Sequence, residues 1–169
     1  MTTYTFRKAK IEDKETIWKI IRQAILRRKA DGSDQWQDGY PNEQSIENDI
    51  ANHAGFVLTK SETVIGYCAA IENFEPAYDT IIGKWLTDSD FVVIHRIAID
   101  ENFLGQGLSK VIIEHVENYA KEQNIFSVKV DTNFDNHAMM KIFDRMGYQY
   151  CGEVYLRGNA RRAYEKVLQ

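Results

Sequence analysis

The chain has 169 residues, of which 44% are hydrophobic and 27% are charged, a composition that excludes a disordered protein and fits one domain over residues 1–169. Its net charge of −4 and pI near 5.6 argue against a nucleic-acid-binding protein, because such proteins are usually basic. The two cysteines lie far apart in no metal-binding motif, and no apolar run reaches about 18 residues. We therefore expect a cytoplasmic protein with free thiols, no metal and no membrane partner.

The first half of the chain predicts a strand, two helices and a hairpin, from alternating or helically spaced apolar residues. Asp13 and Asn42 are the residues expected to cap the two helices at their N-termini. A polar loop with aromatic residues, Ser33–Pro41, separates the helices. In chain order, the predicted elements are a strand at Thr3–Ala9, a helix from Asp13 to about Ala30, a helix at Glu43–His53 and strands at Gly55–Lys60 and Thr63–Asn73.

The second half predicts alternating strands and helices after a long connection, Phe74–Asp90. Its elements are a strand at Phe91–Ile99, a helix at Gln106–Gln123, a strand at Ile125–Thr132, a helix at Asn136–Met146 and strands at Tyr148–Arg157 and Ala160–Val167. Gly147 is expected to end the last helix, and Gly158–Asn159 to form the final turn. The order predicts an α/β (α+β) fold with a mixed central sheet of about seven strands and helices on both faces.

The most informative segment is Phe91–Tyr119, FVVIHRIAIDENFLGQGLSKVIIEHVENY. A β-branched run is followed by a short turn that carries Gly105 and Gly107, and an amphipathic helix begins directly afterwards. A strand, a glycine turn and a helix in this order direct backbone N–H groups towards an anion. The segment therefore predicts that a phosphate-bearing ligand binds at the start of the helix.

Three phosphate-binding motifs could account for this turn. A P-loop requires Gly-Lys followed by Ser or Thr, whereas Leu108 and Ser109 separate Gly107 from Lys110. A Rossmann fingerprint requires a third glycine where Lys110 stands, and an early βαβ unit, yet this turn lies past residue 100. The turn instead resembles motif A of the GNAT superfamily (Gcn5-related N-acetyltransferases), which reads Arg/Gln-x-x-Gly-x-Gly/Ala between a strand and a helix.

The resemblance extends over nearly the whole chain. Phe126–Tyr148 resembles the family's motif B, with Asn136 opening its helix, and the last two strands resemble the closing hairpin of the family. The resemblance implies the GNAT fold, acetyltransferase activity and acetyl-CoA as the acetyl donor. Two positions depart from motif A: Leu104 stands where the family has Arg or Gln, and Ser109 stands where it has Gly or Ala.

The resemblance also implies which residues hold coenzyme A. They are Ile97, Ala98 and Ile99 of the central strand, Leu104, Gly105, Gln106, Gly107, Leu108, Ser109 and Lys110 of the turn and helix start, and Asn136 and Phe143 of motif B. In this family the pantetheine arm lies where two strands splay apart, here Phe91–Ile99 and Phe126–Asp131. A backbone N–H group there polarises the thioester carbonyl.

The catalytic residues follow less directly, because the family's usual general acid is a motif B tyrosine and this chain has Phe143 at that position. Tyr164 is the candidate acid. His95 is the candidate base, since it lies on the central strand and imidazole titrates near neutral pH. The alternatives left open are Tyr148 or Tyr150 as acid, and Glu72 or Glu75 as base.

The acceptor is expected to be a primary amine of a small molecule that attacks acetyl-CoA directly in a ternary complex. The residues expected to border it are Trp36, Tyr40, Glu72 and Trp85. Two other functions stay open: a catalytically silent acyl-CoA-binding or sensing module, which Phe143 permits, and a protein or peptide N-acetyltransferase. A homodimer is also left open.

Overall fold

The structure is a computed structural model that describes residues 3–169. In this part of the chain it has eight strands and four α-helices. In chain order they are β1 (Tyr4–Lys8), α1 (Lys14–Ala30), α2 (Glu43–Ala51), β2 (Gly55–Lys60), β3 (Thr63–Glu72), β4 (Ile82–Gly83), β5 (Val92–Ile99), α3 (Leu108–Glu122), β6 (Ser127–Thr132), α4 (His137–Arg145), β7 (Gln149–Leu156) and β8 (Asn159–Val167).

The strands form one mixed sheet in the order β1-β2-β3-β5-β6-β8-β7-β4, which confirms the predicted fold class. The parallel ladder between β5 and β6 consists of two pairs, Val92↔Val128 and Val93↔Lys129. The sheet has eight strands where about seven were predicted, because the two-residue strand β4 pairs with β7. A Cβ on Gly83 would lie 2.2 Å from the carbonyl oxygen of Cys151, so only glycine permits this close pairing.

The chain divides into two compact units, and the first contains residues up to Ala70 together with Arg96–His115. Its core joins α1 and α2 to one face of the strands. The buried members are Ile17, Ile20, Ile21, Ala24, Ile46, Val57, Val64, Tyr67 and Ala98. On the other face, Phe6 stacks on Phe56 and on His115 of α3, with 5.0 Å between ring centroids in both pairs. In this unit the strands are therefore covered by helices on both faces, as predicted.

The second unit contains Ile71–His95 and the residues from Val116 onwards. On one face of β8 the ring of Tyr164 packs against the ring of Phe143 of α4, with 5.2 Å between the ring centroids. Because side chains alternate along a strand, Ala163 lies on the opposite face, where it packs with Tyr78, Val93 and Val154. Trp85 and Phe91 pack against this second cluster, so the connection between β3 and β5 covers that face.

Two predicted local features are confirmed. The Asn42 side chain accepts a hydrogen bond from the Ser45 N–H at 3.0 Å and caps α2. Gly147 follows α4 with φ +87°, and the Tyr148 N–H donates to the Phe143 carbonyl at 3.0 Å, so Gly147 ends the helix as expected.

Two other local predictions are wrong. Asp13 precedes α1 but does not cap it, because its carboxylate binds Arg7 at 2.8 Å and the Lys10 N–H at 2.8 Å. The last turn is Arg157-Gly158 rather than Gly158-Asn159, since Leu156 pairs with Asn159. Arg157 and Gly158 both have positive φ, 49° and 77°, which is the backbone twist that two-residue hairpins favour.

None of the helices described in residues 3–169 is both long enough and apolar enough to cross a membrane. The prediction of one domain over residues 1–169 stays a prediction.

Candidate active site

The glycine turn lies between the end of β5 and the start of α3, in the first unit. Asp100 accepts a hydrogen bond from the Asn102 N–H at 2.8 Å and sets a 3₁₀ turn at Glu101–Phe103. Gly105 and Gly107 follow with φ +78° and +72°, a conformation that side chains with a Cβ rarely adopt. A Cβ at either glycine would meet no protein atom within 4 Å, so the space beside the turn is open.

The start of α3 presents backbone donors at this turn. The helix begins at Leu108, and the Val111 N–H donates to the Gly107 carbonyl at 3.3 Å. The N–H groups of Leu108, Ser109 and Lys110 precede that bond, so the helical ladder does not use them. Such groups, together with the positive end of the helix dipole, attract an anion.

The side chains around the glycine turn differ in their exposure and in their polar partners. Leu104, Gln106 and Ser109 lie at least partly in solvent, whereas Leu108 is buried. The Lys110 ammonium forms an exposed ion pair with Glu114 at 3.7 Å. The Lys110 charge is therefore already paired, whereas the first backbone N–H groups of α3 are not used by the helical ladder.

The strand β5 contains an extra residue relative to β3. The Asn73 N–H donates to the Phe91 carbonyl at 2.9 Å, and the Asp100 N–H donates to the Ile65 carbonyl at 2.8 Å. Between these bonds the chain advances nine residues from Phe91 to Asp100 but only eight from Ile65 to Asn73. A β-bulge accounts for the difference. Arg96, with φ +58°, is the residue of β5 in the left-handed region and marks its position.

The residues that follow the bulge, Ile97–Ile99, are those expected to bind pantetheine through their backbone. Ala98 belongs to the core of the first unit. The Ile99 carbonyl accepts a hydrogen bond from the Arg27 guanidinium of α1 at 3.3 Å. The bulge interrupts the regular alternation of side chains along β5.

Arg96 is held by a buried network in the first unit. Its guanidinium makes two hydrogen bonds to the Asp49 carboxylate of α2, one of them 3.0 Å long, and a third to the Tyr40 hydroxyl. The Tyr67 hydroxyl also donates to Asp49. Burial by itself would lower the pKa of Arg96, but the nearby Tyr40 and Asp49 raise this pKa by more than burial lowers it. The guanidinium is therefore a permanent cation.

His95 lies immediately before the bulge and belongs to the second unit. Its Nε2 atom is 2.8 Å from the Glu75 carboxylate, and the two side chains are 12% and 16% exposed. The other Glu75 oxygen accepts from the Ala77 N–H at 3.2 Å. The Tyr78 ring lies 6.4 Å from the imidazole, and the Tyr78 hydroxyl donates to Asp131 at 2.5 Å. Sequence patterns had offered Glu75 only as an alternative base.

The candidate acid and the two motif B residues also lie in the second unit. Tyr164 is buried, and its hydroxyl accepts a hydrogen bond from Arg162 Nε at 3.1 Å. Phe143 is 1% exposed and packs between the rings of Tyr148 and Tyr164. The Asn136 side chain accepts from the Met139 N–H at 3.2 Å and caps α4.

The four residues expected to border the acceptor all have protein partners. Trp36 packs on the core of the first unit, and Tyr40 is bound to Arg96. Trp85 packs on Tyr78 and donates from Nε1 to the Tyr78 carbonyl at 2.9 Å. Glu72 accepts from the Tyr119 hydroxyl at 2.8 Å, and burial together with this carboxylate raises the pKa of Tyr119 to about 12.

The sequence patterns did not identify two buried charged residues of the second unit, Glu165 and Lys129. The Glu165 carboxylate is fully buried and accepts from the backbone of Leu86 at 2.6 Å and from the hydroxyls of Thr87 and Ser127. Lys129 is buried over the rings of Trp85 and Phe91, and burial lowers its pKa. Glu165 thereby fixes the connection that carries Trp85.

Asp49 was missed as well, although the sequence carries a signal for it. It lies three residues after Ile46 and directly before Ile50, on the apolar side of α2. A carboxylate on the buried face of a helix requires a partner. That partner, Arg96, lies 47 residues further along the chain, so no local pattern could identify it.

Comparisons with known proteins decide which family this arrangement represents. A family model described as the acetyltransferase (GNAT) family matches residues 18–148. The chain belongs to the GNAT acetyltransferase family. A curated relative, the uncharacterized N-acetyltransferase YesJ of Bacillus subtilis (strain 168), is 26% identical over 148 residues, or 83% of this chain and 79% of the relative.

Solved structures agree with the family. A GNAT acetyltransferase from Streptococcus agalactiae 2603 is 36% identical, with a TM-score of 0.91 over 98% of this chain and 96% of the other. A second, from Listeria monocytogenes 4b F2365, is 23% identical, with a TM-score of 0.78 over 98% and 95% of the two chains, and shows the shared fold. GNAT proteins generally use acetyl-CoA as the acetyl donor.

Proposed function

We propose that this protein transfers the acetyl group of acetyl-CoA to a primary amine of a small molecule, by direct attack of the amine in a ternary complex. The observation that carries the proposal is the glycine turn. Gly105 and Gly107 leave open space directly before the N-terminus of α3, whose first N–H groups are not used by the helix. This open cradle fits the pyrophosphate of coenzyme A.

The residues present fit the donor despite the two departures from the family motif. Leu104 offers no side-chain donor, but the backbone of Gly105–Lys110 supplies the N–H groups that bind phosphate oxygens in this geometry. Ser109 adds a hydroxyl where the family has a small residue without one. We assign pyrophosphate binding to this segment, and an additional contact to Asn136.

The bulge in β5 supports a role in the chemical step. A bulge leaves one residue outside the regular ladder of hydrogen bonds. A backbone N–H freed in this way next to Arg96 would donate to the thioester oxygen, which gains negative charge when the amine attacks. Because the Arg96 side chain is fixed by Asp49, this part of the backbone is rigid before the substrate binds.

The reaction makes one bond and breaks one. The neutral amine nitrogen forms a bond to the acetyl carbon, the carbon–sulfur bond breaks, and coenzyme A leaves as a thiolate. The amine loses one proton, which we assign to His95, and the thiolate takes up one proton, for which Tyr164 is the candidate donor. A thiolate is already a fair leaving group, so the reaction does not depend on a tyrosine at Phe143.

We assign the acceptor to small-molecule amines because most of the side chains expected to bind it are held in place by hydrogen bonds to the protein. Tyr40 is bound to a buried guanidinium, and Trp85 is held by the Tyr78 carbonyl. Anchored aromatic side chains favour a pocket of fixed shape for a compact ligand. We also assign Trp36 and Glu72 to acceptor binding.

The test is acetyl-CoA turnover with a panel of primary amines that includes amino acids, polyamines, aminoglycosides and a short peptide with a free N-terminus. Thiol release is followed with a disulfide reagent, and products are identified by a mass increase of one acetyl group. We expect acetylation of at least one small amine. Acetylation of the peptide alone would favour a peptide N-acetyltransferase, and tight CoA binding without turnover would favour a sensing module.

A further inference from the structure

We propose that Glu75 and His95 act as a carboxylate–imidazole pair, in which Glu75 fixes the imidazole so that its Nδ1 atom takes up the proton of the acceptor amine. Glu75 is then a positioning residue, and His95 is the group that touches the substrate. The proposal rests on the proposed function and deepens it, because it assigns the residue that prepares the base.

The Glu75 carboxylate is fixed at both oxygens. One oxygen is 2.8 Å from His95 Nε2, and the other accepts from the Ala77 N–H at 3.2 Å. Glu75 is followed by Pro76, and its backbone is extended, with φ −157° and ψ 95°, as a residue before proline prefers. Pro76 fixes its own φ at the start of this 3₁₀ turn, and the Ala77 N–H of the same turn holds the Glu75 carboxylate.

This contact selects one tautomer of the neutral imidazole. An ionised carboxylate can only accept a hydrogen bond, so Nε2 must carry the hydrogen, and Nδ1 is left with its lone pair. Within residues 3–169, the ring of His95 forms no hydrogen bond other than the one to Glu75. Nδ1 is consequently the atom that can accept a proton from the amine.

The surroundings supply negative charge to stabilise the imidazolium that forms. Glu75 is in direct contact, and Asp131 of β6 is joined to the neighbouring Tyr78 through the Tyr78 hydroxyl. Other charged groups of the second unit are Lys129 of β6 and three carboxylates that interact with it, Glu165 of β8 and Asp79 and Asp88 of the long connection. A carboxylate that is hydrogen-bonded to an imidazole orients the ring.

The sequence alternatives are thereby reconciled. From the sequence, His95 on the central strand was the candidate base, and Glu75, near the end of the preceding strand, was an alternative to it. In the structure they are partners across 20 residues. A carboxylate without the histidine would act as a weaker base, and a histidine without the carboxylate would populate both tautomers.

The experiment compares Glu75→Gln, Glu75→Asp and a matched control, Glu153→Gln, whose carboxylate lies on β7 beside the Tyr155 hydroxyl. The rate is measured against pH with the amine found by the panel. We expect Glu75→Gln to lower kcat about 10- to 100-fold, with the KM for acetyl-CoA unchanged within two-fold. Glu75→Asp should recover part of the rate, and Glu153→Gln should match the wild type.

A second readout needs no turnover. Long-range ¹H–¹⁵N NMR spectra of ¹⁵N-histidine-labelled protein report the tautomer of each of the four histidines, and His95→Gln assigns the relevant signal. We expect the Nε2–H form for His95 in the wild type and a mixed or Nδ1–H form in Glu75→Gln. A wild-type Nδ1–H form, or a kcat of Glu75→Gln equal to that of Glu153→Gln, would overturn the pairing.

The two proposals can fail separately. If the wild-type enzyme acetylates no amine, the proposed function is wrong, and with it the role of His95 as base. If the wild type acetylates an amine and Glu75→Gln behaves like Glu153→Gln, the proposed function stands and the role of Glu75 is wrong.

Discussion

Breaking the buried ion pair between Asp49 and Arg96 should cost a large share of the free energy of unfolding, because the charge that remains is buried without its partner. The test substitution is Asp49→Ala. It removes two hydrogen bonds from the guanidinium and one from the Tyr67 hydroxyl, and it leaves Arg96 with the Tyr40 hydroxyl as its remaining partner in this network. The side chains of Asp49 and Arg96 are only 6% and 9% exposed, so water cannot replace the lost carboxylate.

The expected loss is about 3–5 kcal/mol, the range for removing one partner of a buried pair. Glu47→Ala is the matched control, because Glu47 lies two residues earlier on the same helix and is also paired, with Lys14. Its side chain is 40% exposed, and an ion pair of that kind contributes little. Both substitutions replace an acidic residue by alanine, so the change in helix propensity is similar.

The assay is equilibrium unfolding in urea. With a slope of about 2 kcal/mol per molar urea, the midpoint of Asp49→Ala should fall by about 1.5–2.5 M, while that of Glu47→Ala should stay close to the wild type. In a double-mutant cycle with Arg96→Met, the second substitution should recover stability in the Asp49→Ala background. Equal midpoints for the Asp49→Ala and Glu47→Ala variants would refute the reasoning.

Three further outcomes follow from the structure. The hydrogen bond from Arg7 lowers the pKa of Asp13, so this carboxylate stabilises the fold above its unfolded pKa of about 3.9 and loses that effect as the pH falls through its folded pKa. In urea unfolding, Asp13→Asn should therefore cost roughly 0.5–1 kcal/mol at pH 7 and nothing near pH 2. A cost that does not depend on pH would contradict this. Glu165→Ala leaves the donors of Leu86, Thr87 and Ser127 without their acceptor and should cost about 3 kcal/mol and speed proteolysis between β4 and β5, whereas Glu153→Ala should do neither. Cys68 and Cys151 are buried, and burial raises the pKa of both thiols, so a disulfide reagent should label them slowly in the native protein and rapidly in urea; rapid native labelling would contradict that burial.

Sequence patterns predicted the elements that local spacing determines. Apolar residues at helical spacing identified α1 and α3, and Asn42 and Gly147 act as the capping residues that their types indicate. The glycine turn was recognisable because strand, turn and helix follow one another within a short segment. Such features depend on neighbours in the chain, and a single sequence contains them.

The features that were missed depend on residues far apart in the chain. The strand β4 is too short to show a pattern and exists because Gly83 and Gly152 let two backbones approach closely. Asp13 looked like a cap until the structure placed Arg7 beside it. The partner of Arg96 lies 47 residues away, and that of His95 lies 20 residues away. Only the paired sheet brings these side chains together.

Calorimetric titration of coenzyme A into the wild type, Gly107→Val and Gly158→Val tests the central claim most directly. Both glycines have φ above +70° and open space at the Cβ position, so both substitutions cost similar backbone strain of about 1–2 kcal/mol. Only valine at position 107 would project into the space assigned to the pyrophosphate. We predict that Gly158→Val binds coenzyme A like the wild type and that Gly107→Val loses binding; wild-type affinity in Gly107→Val would contradict the assignment of this turn.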